Sequence, residues 1–266
     1  NCFKVLDGPD APTLIVQELK NEVLLYLTYE QPSSNNYNEK YCEVDPSIVR
    51  AYTVDSLING VPTSVTKTYT DEQRSYKFEG YQIFQLKNAE VSIADITDVT
   101  KARLVAQCDI ENYYDGDAAT LPIGTLVNYN QNSTTGLLTA QIMVNGANKG
   151  IQHVFRITTD QFATGTNTTL VNNKEYYYVA VAYAHNRFKE YSQLDASKLD
   201  GQKETYLAGR KNERGGTITP VVAIPHDPSA ENGGTVVQAD YGMCPNITRI
   251  EGYGNGGATL QLTEES

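Results

Sequence analysis

Apolar residues in this chain recur at every second position, and no segment longer than a few residues shows a helical period. Alternation of this kind puts successive side chains on opposite faces of a strand. "YKFEGYQIFQL" (Tyr76–Leu86), "ARLVAQCDI" (Ala102–Ile110) and "IQHVFRITTD" (Ile151–Asp160) each read as strands, and "LVNNKEYYYVAVAYAHN" (Leu170–Asn186) alternates most completely. "TLIVQEL" (Thr13–Leu19) and "EVLLYLTY" (Glu22–Tyr29) flank Lys20-Asn21, a hairpin or sheet-changing turn. Shorter strands are expected near Ser64–Tyr69, Leu126–Asn130, Leu137–Val144 and Glu204–Lys211, with a tight-turn signal at Asn145-Gly146. Short strands separated by turn signals predict an all-β sandwich or barrel.

Residues 1–8 read as a linker, 9–211 as the sandwich with a polar insertion at about 30–75, 212–245 as an extended linker or short strands, and 246–266 as the start of a following β module. The opening "NCFKVLDGPDAP" resembles the middle of a linker and "ATLQLTEES" a strand in progress, so the chain is expected to be a fragment of a longer protein.

With 21 basic and 32 acidic residues the formal net charge is −11, which repels phosphate backbones and anionic lipid and argues against nucleic acid as a partner. No apolar run approaches the roughly 18 residues of a membrane-spanning helix; the longest, Tyr176 to Ala184, has nine, so membrane insertion is not expected.

Of the four cysteines, Cys2, Cys42, Cys108 and Cys244, none forms a C-x-x-C pair. Cys108 shares an alternating face with Leu104, Ala106 and Ile110 and is expected to be a buried thiol; the others lie in loop-like sequence and their pairing is open. His153, His185 and His226 lack neighbouring ligands at metal spacing and are expected to be structural. Asp227 follows His226, but adjacent residues on an extended chain point apart. No nucleophile elbow appears, and "GYGNGG" (Gly252–Gly257) lacks the lysine of a phosphate loop. No cofactor is implied beyond calcium, for which the candidate carboxylates are Asp7 and Asp10, Asp95 and Asp98, and Asp115 and Asp117. Each of those runs also makes an ordinary turn. Nineteen tyrosines and no tryptophan leave tyrosine as the aromatic available for sugar stacking, with Tyr113 and Tyr114 of "ENYYDGD" the candidate glycan-binding pair.

Three stretches resemble fibronectin type III domains. "PDAPTLIVQELKNEVLLYLTY" (Pro9–Tyr29) resembles the opening proline region and strands A and B; "FEGYQIFQ" (Phe78–Gln85) is similar to strand C; Leu170 to Asn186 is similar to strand F. The resemblance implies a fibronectin III/immunoglobulin-like β-sandwich with long loop insertions. It also implies a tyrosine corner, with Leu170 six residues before Tyr176 and with Tyr178, Ala180 and Ala182 facing the other sheet. The family's strand B tryptophan is replaced here by Tyr26 or Leu27.

Longer segments, among them "RITTDQFATGTN" and "LDGQKETYLAGRKN", resemble very large secreted proteins of Bacteroidota of the kind exported by the type IX pathway. That resemblance implies an extracellular or cell-surface location. It also makes Ser56 of "VDSLI" a candidate O-glycosylation site. The function expected from all this is a non-catalytic structural or adhesive module of a large surface protein, within a filament or coat. Its partners would be neighbouring domains or subunits, and glycans. The alternative is a carbohydrate-binding accessory module of a secreted polysaccharide-degrading enzyme.

Overall fold

The computed structural model describes residues 6–58, 61–114, 121–186 and 188–227, with backbone alone for 54–58, 61–63 and 197. Strands β1 (Thr13–Leu19) and β2 (Glu22–Thr28) form a hairpin in which Leu19 pairs with Glu22. Asn21 takes the left-handed conformation at the turn (φ 59°), which asparagine tolerates better than most residues. The far edge of β2 pairs with β10 (Val154–Ile157), completing a three-stranded antiparallel sheet.

The second sheet is built on β6 (Ser75–Leu86) and β11 (Tyr176–His185), which pair antiparallel over most of their length. Its outer positions are shared. On the far side of β6, β3 (Cys42–Val44) pairs with one end and β7 (Ala102–Asp109) with the rest. On the far side of β11, β12 (Tyr206–Ala208) pairs near His185 and β13 (Val221–Ala223) near Tyr176. Two hairpins stand apart from these sheets: β4 (Ala51–Ile58) with β5 (Val61–Thr68), and β8 (Thr125–Gln131) with β9 (Leu138–Asn145). The chain is thus all-β with antiparallel sheets, a sandwich in architecture.

The core follows from the alternation. Val23, Leu25 and Leu27 of β2 pack with Tyr178, Ala180 and Ala182 of β11 and with Tyr81 and Ile83 of β6. The small alanines leave room between the sheets for the tyrosine rings. Of the two replacements for the strand B tryptophan, Leu27 lies in this core, whereas Tyr26 points outward to hydrogen-bond Gln17. The other face of β11 is covered as well. Val179 and Val181 pack with Leu86, Val91 and Ala102 beneath the 87–101 connection, and Tyr183 packs with Leu126, Val144 and Tyr206 beneath the β8–β9 hairpin. Burial on both faces explains the nine-residue apolar run.

Four expectations change. Cys108 is buried, but Leu104 does not share its face: a bulge at Val105 shifts the register, so Ala106 pairs with Ile83 while Leu104 pairs with Phe84 and is exposed. Burial pushes the Cys108 thiol pKa up. The polar stretch 30–75 holds β3 and a full hairpin, not one short strand. In the Leu170–Asn186 stretch, strand pairing begins at Tyr176 and not at Leu170. Finally, the packed domain continues past Lys211, since Ile218 and Ala223 are buried and β13 belongs to the larger sheet. Residues 246–266 and "GYGNGG" lie outside the described residues.

Candidate ligand-binding groove

The β4–β5 register places Tyr52 opposite Lys67, and Arg50 accepts a backbone hydrogen bond from Tyr69 at 2.8 Å. Tyr52 and Tyr69 are therefore diagonal neighbours on one face of the hairpin. Their rings stack with centroids 4.8 Å apart and planes 17° from parallel. Phe188 meets Tyr69 edge-on at 5.3 Å and 82°. Aromatic pairs of this geometry contribute about 0.5–1.5 kcal/mol each beyond their burial, enough to hold the wall in one arrangement. Burial, aided by the neighbouring Tyr52 hydroxyl, pushes Tyr69 up to about 12.

This wall lines a groove of about 720 Å³ between the root of the hairpin and the 188–204 loop. The loop is drawn in by a hydrogen bond from Gln202 N to Lys189 O at 2.8 Å. Gly201 permits that approach, because a Cβ there would overlap the Glu190 carbonyl. The facing wall is polar. Asp45, directly after β3, is buried and accepts from Ser47 N–H through Oδ1 at 2.8 Å. Gln202, also buried, donates from Nε2 to Tyr76 Oη at 3.0 Å and to Glu204 O at 2.9 Å. Among the described residues those bonds leave Asp45 Oδ2 and Gln202 Oε1 uncommitted as acceptors. Val49 and Leu199 form exposed apolar rims. Both lysines at the rim are engaged: Lys189 pairs with Asp200, and Lys203 Nζ sits 5.5 Å over the Tyr191 ring.

The structure disperses the residues singled out from sequence. Tyr176 Oη accepts from Val171 N–H at 2.8 Å, while Leu170 is fully buried and gives its carbonyl to Asn21 Nδ2. Tyr113 Oη donates to Glu111, and Tyr114 packs edge-on against His185 with centroids 6.0 Å apart, so neither is part of the groove. Asp95 closes a capping box with Ser92 and pairs with Lys101 at 2.6 Å; these contacts, Lys101 foremost, hold its carboxyl at about 2. Asp98 accepts from Thr100 N and Oγ1 within the same turn. Asp7 pairs with Lys211, and Asp10 accepts from Ser34 Oγ and Asn35 N. Asp115 and Asp117 lie outside the described residues. Among the described residues no group of three or more His, Cys, Asp or Glu side chains is placed to hold a metal ion.

Ser56 lies on β4 opposite Thr63. His153 meets Glu39 at 2.6 Å, and His226 lies 3.0 Å from Ile224 O, while Asp227 pairs with Lys20 instead. Cys42 is exposed and Cys108 buried, both as free thiols; Cys2 and Cys244 lie outside the described residues.

Sequence reasoning missed Tyr52, Tyr69 and Phe188. One signal was present. Asn59-Gly60 is the strongest two-residue hairpin turn in the insertion, and counting outward from it puts Arg50 opposite Tyr69. Nothing local marks Phe188, which reaches the groove through tertiary contact. Searches against protein-family models, curated proteins and solved structures find no match for this chain.

Proposed function

We propose that this chain is a non-catalytic adhesive module of a large extracellular surface protein, a fibronectin III-like sandwich that works by binding. The observation that carries this reading is the Tyr52–Tyr69–Phe188 wall, mounted on a hairpin and a loop outside the two packed sheets. A rigid sandwich that presents aromatic side chains on its excursions is an arrangement suited to recognition. The fibronectin-like part draws on the stretches that resemble strands A, B, C and F forming β1, β2, β6 and β11. It is supported further by the Tyr176 hydroxyl reaching the backbone next to Leu170. The neighbours and subunits of the same surface protein remain partners in this reading. The alternative, a carbohydrate-binding accessory module, draws on the same wall and the acceptors facing it.

A quartz-crystal microbalance tests the adhesive role. The 266-residue chain is passed over films of polysaccharide, of extracellular protein and of the chain itself. Adhesion to at least one film without its degradation is expected. No adhesion to any film would overturn the reading, as would release of soluble products at a rate that one point substitution abolishes.

A further inference from the structure

We infer that the groove between the β4–β5 hairpin and the 188–204 loop binds an uncharged pyranose glycan, held by Tyr52, Tyr69 and Phe188 on one wall and by Asp45 and Gln202 on the other. The inference rests on the reading of this chain as a binding module and names the ligand of that site.

Four features select the ligand. A pyranose ring presents an apolar face of C–H groups and a rim of hydroxyls. Part-exposed aromatic rings on one side of the groove match the face. Buried acceptors on the other side match the rim: Asp45 and Gln202 are both more than nine-tenths buried, are fixed by their own hydrogen bonds, and each keeps an oxygen for a hydroxyl donor. An apolar peptide side chain in the same place would leave these groups desolvated and unpaired, a cost of about 1–3 kcal/mol each. The volume falls within the range of about 300–1,000 Å³ typical of small-ligand sites.

Charge then excludes acidic sugars. The rim lysines are engaged by Asp200 and Tyr191, whereas the acidic residues Asp45 and Glu204 also line the groove. A uronate or sialate would meet like charge without a partner.

Affinity electrophoresis of the 266-residue chain tests this, through gels containing neutral glucans, mannans, xylans or galactans and, in parallel, alginate or polygalacturonate. Retardation by at least one neutral polysaccharide is expected, unchanged between low and high salt. Tyr69→Ala and Phe188→Ala should each weaken it tenfold or more, and Tyr114→Ala should leave it unchanged. Because those truncations could perturb the hairpin, Val49→Arg provides a second route. Val49 is exposed on the rim, so the longer side chain obstructs the groove without touching the core, and a comparable loss is expected at an unchanged melting temperature. The inference fails if no neutral polysaccharide retards the chain, if only the anionic ones do, or if retardation survives all three groove substitutions. Adhesion to protein films combined with no retardation by any polysaccharide would overturn the glycan and leave the adhesive module standing.

Discussion

Asn112 Nδ2 donates to Glu79 Oε2 at 2.9 Å, and the two atoms left over on these side chains, Asn112 Oδ1 and Glu79 Oε1, are both buried acceptors without a partner among the described residues. Glu79 is the extra residue where pairing between β6 and β11 skips from Gly80–Tyr183 to Phe78–Ala184. The bulge turns its carboxyl into the interior, where only 3% of the residue is exposed. A proton on the carboxyl removes the cost of holding a charge in this interior position. Burial above all, with Asp109 nearby, pushes Glu79 up to about 8 even though the Asn112 bond opposes the shift.

The sign of the pH dependence follows from that. Between its ordinary value of 4.5 and about 8, Glu79 holds a proton in the folded chain and none in the unfolded one. Its contribution to stability therefore falls as pH rises through that window and flattens above it. The loss is on the order of 5 kcal/mol. Glu79→Gln keeps the shape and removes the ionisable group. Urea unfolding at pH 5 and pH 9 should show the parent losing stability between the two and the variant losing less, with the variant the more stable at pH 9. A parallel decline in both proteins would mean that Glu79 is not the group responsible.

The Tyr176 hydroxyl ties the entry of β11 to the loop before it through Val171 N–H. Tyr176→Phe removes that acceptor and keeps the ring. Stability should drop by roughly 1 kcal/mol, read as a lower urea midpoint at constant slope, while retardation by polysaccharide stays as in the parent.

Gly80 of β6 pairs with Asp109 of β7 on one side and Tyr183 of β11 on the other. A Cβ there would overlap the Cys108 carbonyl and fall 2.6 Å from Tyr183 Oη. The colliding atoms are a backbone oxygen and a fully buried ring, so neither can yield cheaply. Gly80→Ala should cost about 1–3 kcal/mol, measured by thermal unfolding. Gly165→Ala, with open space around its Cβ, is the control and should change little.

Glu213 holds the segment after Lys211 to the first hairpin. Its carboxylate accepts from Thr13 Oγ1 at 2.7 Å, Glu30 N at 2.6 Å and Gln31 N at 3.0 Å. Burial would raise its pKa, but these donors together outweigh it and hold the carboxyl below its ordinary value. Its stabilisation is thus present near neutrality and lost as pH falls through that lowered value. Glu213→Ala leaves two backbone N–H groups without their acceptor and should cost about 2–3 kcal/mol at pH 7, with a smaller penalty in acid. A chain cut after Lys211 also loses β13 and Ile218 and should melt well below the parent. If it melts with the parent, the domain ends at Lys211 after all.

Strand content was legible because a strand records its environment every second residue. Tyr178, Ala180 and Ala182 can be assigned to one face, and Val179 and Val181 to the other, by counting alone. The β1–β2 hairpin was legible from its two-residue break, and Leu170 with Tyr176 from their spacing. Where counting failed, an irregularity interrupted it. The bulge at Val105 reversed Leu104, and the bulge at Glu79 turned a charged residue inward; a one-residue insertion changes faces without changing composition.

The sequence alone therefore determined that this chain is all-β, which strands carry its core, and that its net charge is acidic. Local periodicity and charge are properties of short segments and survive without knowledge of the whole. Only the tertiary structure decided which aromatic side chains meet at the groove. Tyr113 and Tyr114 were adjacent in sequence and conspicuous, yet they contact Glu111 and His185, away from the groove. Tyr52, Tyr69 and Phe188 are separated by 17 and 119 positions, and they meet because the hairpin register fixes the first two and the 188–204 loop folds back on them. Contacts between residues so far apart depend on the packing of several segments at once, and no local pattern records that.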